Sequence, residues 1–340
     1  MQPWLNQTPE RRIEIINQVN AQTGFAVESI EKDWWVTQVL RAVTNTPWIG
    51  NLVFKGGTSL SKGWNLIARF SEDIDLAMDR SVLGFAHTEP NPSQVERLRR
   101  LSAEFMANSF ALDLGNRLTE LGLPTGFLRL SVKTGPDNED PRQLWLEYDS
   151  LFVSRETREN PAYIAPKVIV EIGARSLREP CSTRSITSLV SAAFPTATFA
   201  TPAFAIATVE PQRTVLEKIF LLHEEKTRPA DRRRILRMSR HYYDLHQTAD
   251  TNHMDQALGT PELYTTVRDH RQRFNRVPSC QYTGLQCRDL DFLPHADEMG
   301  KWEQDYADMQ KYMIGANPPP FSTMMKRLQQ LQERIAELTH

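Results

Sequence analysis

Residues 51–79 read NLVFKGGTSLSKGWNLIARFSEDIDLAMD, and the order of residue types in this stretch decides the fold. NLVF, residues 51–54, is a short apolar run of the kind that makes a buried strand. Residues 55–70, KGGTSLSKGWNLIARF, open on two glycines and predict a turn leading into a helix. SEDIDLAMD, residues 71–79, alternates acidic and apolar side chains and predicts a second strand. Side chains two apart on a strand share a face, so Asp73 and Asp75 point one way while Ile74, Leu76 and Met78 point the other.

That alternation places two carboxylates about 6.6 Å apart at their backbones, within reach of one or two magnesium ions. A bare DxD pair is also what a solvated strand face looks like, so the segment upstream matters. Gly56 and Gly57 stand where strand becomes helix, which lets backbone amides approach a triphosphate beside a positive helix terminus. Thr58, Ser59 and Lys62 add hydrogen-bond donors. GGTSLSKG is not a Walker A loop, because Ser61 stands where that motif needs glycine and Gly63 where it needs Ser or Thr.

Upstream, Thr8 followed by Pro9 predicts a helix start, with Ile13, Ile15, Ile16 and Val19 as its apolar stripe and Gly24 as its end. A second helix is predicted over 27–45 on Ile30, Trp34, Val39, Leu40 and Val43. Downstream, a long helix is predicted over 93–121. Three strand candidates follow, GFLRLSVK (126–133), QLWLEYDSL (143–151) and KVIVEIGA (167–174), with a polar TGPDNED turn (134–140) between the first two. Glu171 lies among apolar neighbours in the third, where an ionised carboxylate needs a partner such as Lys167 or Arg175.

Beyond about residue 205 the pattern turns helical. The expected organisation is an α/β (α+β) domain with a mixed sheet over 1–205 and a largely helical domain over 206–340. On a helical wheel, PQRTVLEKIFLLHEE (211–225) has a narrow polar face of Arg213, Glu217 and Glu224, with Lys218 about 100° away. Lys218 either snorkels along the body or points into a cleft. A helix from Asp231 onward aligns Arg233, Arg237, Arg240 and Asp244, which reads as an exposed ion-pair face or as a wall facing phosphate. Seven basic residues fall between Lys226 and Arg240, suited either to water or to an RNA backbone. After the spacer Pro318–Pro320, Phe321, Met324, Leu328, Leu331, Ile335 and Leu338 recur at heptad spacing, and packing on the chain's own body is preferred over dimerisation.

Composition excludes several classes. The 340 residues are 40% hydrophobic and 24% charged, the balance of a globular protein, and a net charge of -2 gives no general attraction for nucleic acid. Cys181, Cys280 and Cys287 are odd in number and lack CxxC spacing, which argues against a disulfide framework or a structural zinc site. His223 and His241 have no metal-ligand spacing to a partner. No basic, apolar leader and no run of 18 apolar residues occurs, so a soluble, cytoplasmic protein without membrane attachment is expected.

Glycine pair, short helix and DxD strand resemble the signature of polymerase-β-like nucleotidyltransferases. More closely, EKDWWVTQVL (31–40), KGGTSLSK (55–62), RFSEDIDL (69–76), RTVLEKIFLLHEE (213–225) and SRHYYDL (239–245) together resemble the AbiEii-type nucleotidyltransferase toxins, over residues 28 to 248. The resemblance implies transfer of a nucleotide from an NTP, with Mg2+ or Mn2+, to an RNA acceptor, tRNA first. It implies Asp73, Asp75, Lys218 and Asp244 as catalytic residues, Asp73 and Asp75 as metal ligands, and Glu171 as a further ligand. Gly56, Gly57, Thr58, Ser59, Lys62, Ser71 and Arg240 are then expected at the nucleotide. Asp244 would serve to hold metal or, instead, to orient Lys218 or the nucleotide. Ser71 matches a position where some family members are silenced by phosphorylation, and a cognate antitoxin is implied as partner. Transfer to protein hydroxyls, or a binding module that has lost turnover, are the alternatives.

Overall fold

The computed structural model describes residues 1–85, 89–136, 139–153 and 163–339. It divides into two compact units, one of Met1–Trp64 with Arg69–Val209 and one of Asn65–Ala68 with Glu210–His340.

In the first unit the described residues form one mixed sheet of seven strands: β1 (Leu52–Lys55), β2 (Asp73–Met78), β3 (Leu128–Val132), β4 (Gln143–Tyr148), β5 (Lys167–Gly173), β6 (Cys181–Ile186) and β7 (Phe204–Val209). Their order is β3-β4-β5-β2-β1-β7-β6. β2 pairs parallel with β5 and antiparallel with β1, so the acidic strand lies near the middle of the sheet. The α/β architecture with a mixed sheet is the one expected. β6 and β7 were not among the expected strands. Of the TGPDNED turn, residues 137 and 138 lie outside the described residues.

Register assigns each face. Phe54, Leu76, Ile172 and, one pair along, Ile74, Val170 and Leu144 share one side, all at most 1% exposed. Burying each such side chain contributes roughly 1.5–3 kcal/mol, so this face anchors the fold. The helix Val27–Thr44 packs on the sheet, and its Trp35 stacks on Tyr148 of β4 at 5.2 Å between ring centroids. The preceding helix, Pro9–Thr23, begins on Thr8, whose hydroxyl accepts from Arg11 N, and ends on Gly24 at φ 74. The expected 93–121 helix is a continuous run, Pro92–Glu104, a wider turn Phe105–Phe110, and Ala111–Glu120. The opposite sheet face carries Asp73, Asp75 and Lys55 at one end and the apolar cluster Val53, Ala77 and Val209 at the other.

The second unit is built on the helix Pro211–Thr227, which packs against Ser239–Thr248, Asn252–Leu258 and Pro261–Phe274. Glu224 ties it together, accepting from Arg271 at 2.5 and 2.7 Å and from the Tyr282 hydroxyl at 2.6 Å. The C-terminal helix Phe321–Ala336 buries Met324, Leu328, Leu331 and Ile335 and contacts Ser239–Thr248, so it packs on its own body. A helix boundary differs from the one expected. The helix expected from Asp231 onward starts at Ser239, because the chain is already extended at Arg233, with φ -73 and ψ 133, and Arg237 adopts φ 62, which a right-handed helix cannot contain. Asp305 then takes the Arg237 and Ser239 amides at 2.5 and 2.9 Å and caps the new start.

Candidate active site

Four neighbouring strands place Gln143, Glu171, Asp75 and Lys55 in one row, since Gln143 pairs with Glu171, Glu171 with Asp75 and Asp75 with Lys55. Asp73 lies two residues from Asp75 on the same face, and both are only partly buried. The row gathers negative charge on partly buried side chains. Burial, then the charges of Asp75 and Asp73, push the Glu171 carboxyl up to about 7, while the Gln143 amide and the Lys55 ammonium oppose that rise. The Gln143 side-chain amide donates to Glu171 at 2.6 Å and receives the Trp145 indole N–H at 3.0 Å.

The glycines open a short helical stretch, Gly56–Thr58 continued by the wider turn Ser59–Gly63, and its start is fitted to this row. Gly56 adopts φ 79, and a methyl added there would come within 2.2 Å of Asp75 Oδ2. Only a residue without Cβ allows the carboxylate to sit against the turn. At Gly57 a methyl would meet an Arg69 guanidinium nitrogen at 2.7 Å and Ser71 Oγ at 3.1 Å. The Thr58 hydroxyl bonds Ser71 Oγ at 2.9 Å and also the Asp73 carbonyl, and Ser59 Oγ donates to Gly56 O at 2.9 Å.

This arrangement separates the residues expected at a nucleotide. Gly56, Gly57, Ser71, Asp73 and Asp75 come together. Thr58 and Ser59 are buried and shape the turn from within. Lys62 is turned into the unit, where Nζ meets Asp33 Oδ1 at 2.5 Å. Lys55 and Gln143 belong to the row and Arg69 lies at Gly57, yet none was singled out in the sequence, because their relation to the acidic pair arises only from strand pairing and the path of the chain between β1 and β2.

A metal ion is the group that the acidic pair would suit. The donor chemistry fits: two carboxylates on one face, one of them lodged against a turn that a Cβ would fill. Among the described residues no three His, Cys, Asp or Glu side chains converge into a metal cage. Glu171 is within electrostatic range of both aspartates but hydrogen-bonded to Gln143, so the structure does not gather all three around one point.

In the second unit Lys218 and Asp244 form a buried ion pair, Nζ to Oδ2 at 2.9 Å, and Lys218 Nζ also lies 3.4 Å from His241 Nδ1. Lys218 is therefore held by a carboxylate and does not snorkel outward. Asp244 shares no stripe with Arg233 and Arg237, which precede the helix. Arg240 sits partly exposed in the first turn of Ser239–Thr248. Much of the basic segment is compensated: Lys226 meets Asp291 at 2.5 Å, Arg233 meets Glu298 at 3.1 Å, and Arg228 and Arg234 share Glu225 at 3.3 and 2.7 Å. Among the described residues no helix is long and apolar enough to cross a membrane.

A family model described as "Nucleotidyl transferase AbiEii toxin, Type IV TA system" matches residues 38–334. Among solved structures the fold is shared with MenT4, a nucleotidyltransferase toxin from Mycobacterium tuberculosis H37Rv, at 17% identity and a TM-score of 0.51, covering 98% of this chain and 90% of that one. A structure from H. pylori solved as a candidate nucleotidyltransferase matches at 14% identity and a TM-score of 0.43, over 93% of this chain and 99% of that one. No curated protein matches the chain in sequence.

Proposed function

Because this chain belongs to the family of AbiEii nucleotidyltransferase toxins of type IV toxin-antitoxin systems, we propose that it transfers the nucleoside monophosphate of an NTP to an RNA hydroxyl, with the 3' end of tRNA as the first acceptor to test. The observation that carries this reading is the seating of Asp75 against Gly56 with Asp73 beside it on the same sheet face. Asp73 and Asp75 would hold Mg2+, or Mn2+ in its place, with Glu171 as the reserve ligand from the adjoining strand. Bound there, the ion neutralises charge on the triphosphate and on the leaving oxygen.

The chain's own groups do the rest. Backbone amides at Gly56 and Gly57 face the phosphates, with Thr58 and Ser59 keeping the turn in shape. Lys218 supplies a fixed positive charge to the triphosphate, and Asp244 keeps that ammonium aimed, with Arg240 as a further contact to the nucleotide. The acceptor oxygen bonds to the α-phosphorus, the bond from that phosphorus to the bridging oxygen breaks, and pyrophosphate leaves. A phosphoryl group on Ser71 would bring about two negative charges beside Thr58 and the Asp73 backbone and repel an incoming NTP. A cognate antitoxin is the protein partner. The organisation into an α/β domain and a helical domain bearing Lys218 and Asp244 belongs to the same proposal.

Each α-labelled NTP is incubated with Mg2+ and either total tRNA or a proteome, using wild type and Asp73→Ala. Label on tRNA from wild type alone is the expected result. Label on protein alone would replace the RNA acceptor by a hydroxyl side chain. Equal labelling by the variant would remove Asp73 from its role, and absence of labelling with every NTP and acceptor would leave a binding module.

A further inference from the structure

One turn of the helix Val27–Thr44 carries three successive charged residues, Glu31, Lys32 and Asp33, and all three are at most 5% exposed. Lys32 Nζ meets Glu72 Oε2 at 2.6 Å, and Glu72 immediately precedes Asp73. Asp33 uses both oxygens: Oδ1 takes Lys62 Nζ at 2.5 Å, at the far end of the short helical stretch that begins with Gly56, and Oδ2 takes the Leu189 amide at 2.7 Å. The Thr58 hydroxyl closes the triangle by bonding Ser71 Oγ and the Asp73 carbonyl. A single helix turn thus grips the glycine turn and the entry to the acidic strand, and those two segments grip each other.

Stability does not account for this. Replacing a buried ion pair by well-packed apolar groups is often neutral or stabilising, so two such pairs on adjacent residues are a poor way to hold a helix on a sheet. What ion pairs with short, directed bonds provide is a defined position. The transfer reading requires that definition, because phosphate-facing amides and metal-holding carboxylates must keep their mutual placement to within about 0.5 Å.

We propose that Lys32 and Asp33 are positioning residues for nucleotidyl transfer, with Lys32–Glu72 fixing Asp73 and Asp75, and Asp33–Lys62 fixing Gly56 and Gly57. The inference rests on the transfer reading of the acidic pair. Lys62 is then part of this framework and no ligand of the nucleotide.

Asp33→Asn is a selective cut, since the asparagine oxygen keeps the Leu189 amide while its NH2 turns a poor face to Lys62. Asp33→Asn, Lys62→Met and the double variant are compared for cooperative melting, for hydrogen exchange of residues 56–63 without substrate, and for kcat and KM of NTP in the labelling reaction. Each single variant is expected to melt cooperatively, to lose exchange protection at 56–63, and to lose about 10- to 100-fold in kcat with KM nearly unchanged. The double variant should be no worse than the poorer single one. Unchanged exchange at 56–63, or specific activity within about twofold of wild type, overturns the proposal. So does a rise in KM with Lys62→Met alone, which would return Lys62 to the nucleotide. Should Asp33→Asn fail to fold, Lys62→Met cuts the same arm from its other end. Exchange decides the linkage even where wild type transfers nothing, and that separate result would retire the transfer reading.

Discussion

Lys218 and Asp244 are joined by a 2.9 Å ion pair in which the carboxylate side chain has no exposed surface. Removing one partner of such a pair leaves a buried charge uncompensated and costs about 3–5 kcal/mol, whereas replacing both can be nearly neutral. Asp244→Asn is expected to lower the urea midpoint strongly, and Lys218→Met/Asp244→Leu to recover most of it. Transfer should be absent from both. Recovery of transfer together with stability would make the pair scaffold only, and the comparison needs just denaturation curves and the labelling assay.

Gly56 and Gly84 form a natural contrast. Both have positive φ, 79 and 65, but a methyl at Gly56 would strike Asp75 Oδ2 at 2.2 Å while one at Gly84 would meet nothing within 4 Å. The left-handed backbone penalises alanine at either position by roughly 1–2 kcal/mol. The melting temperature should therefore fall in both Gly56→Ala and Gly84→Ala, and further in Gly56→Ala, where the clash with Asp75 adds to the backbone penalty. Only Gly56→Ala is expected to raise the Mg2+ concentration needed for half-maximal transfer, by about tenfold or more, as the displaced carboxylate loses its seat. Equal Mg2+ curves for the two variants would show that Asp75 does not need the turn.

The acidic face was legible in the sequence because a strand's alternation is local: Asp73 and Asp75 against Ile74 and Leu76 needs no knowledge of neighbours. β6 was not legible, since CSTRSI is largely polar and, as the outermost strand beside β7, it has an exposed pattern that ends on a single buried Ile186. Lys32 and Asp33 fall in the family-like segment EKDWWVTQVL, but their part was hidden for a different reason. Charged residues within a helix ordinarily meet water, and their burial depends on Glu72, Lys62 and the Leu189 amide, groups brought from distant segments. The arginine stripe failed because a wheel drawn through Arg233, Arg237 and Arg240 cannot register the extended backbone at Arg233, the positive φ at Arg237 or the cap supplied by Asp305. Lys218 was left open between cleft and surface by the wheel alone, and the resemblance tipped that balance; its partner Asp244 lies on another helix.

Glu31 gives the fold a pH dependence of definite sign. Burial pushes its carboxyl from 4.5 up to about 7, against the opposing bonds from Ser150 Oγ and the Leu151 amide and the charge of Arg12. The folded protein therefore binds a proton that the unfolded chain has released between those values. Its contribution to stability is complete below about pH 4.5, declines as pH rises towards 7, and is gone above it, a change of at most about 3 kcal/mol. Glu31→Gln removes the titration while an amide can still bond Ser150 and Leu151. Over pH 5 to 8 the difference in stability between variant and wild type should drift in favour of the variant, and parallel curves would place the Glu31 titration elsewhere.

The C-terminal helix offers a choice between packing and association that mutation can decide. Met324, Leu328, Leu331 and Ile335 are at most 3% exposed, and Gln332 accepts the Phe292 amide at 3.1 Å, so the apolar stripe is spent inside the second unit. Leu328→Ala should cost about 2–5 kcal/mol through lost burial and the cavity left behind. The loss should appear in thermal melts independent of protein concentration, because no second copy is needed to cover the stripe. A melting temperature that rose with concentration in wild type, and lost that dependence in Leu328→Ala, would instead assign the stripe to an interface between copies.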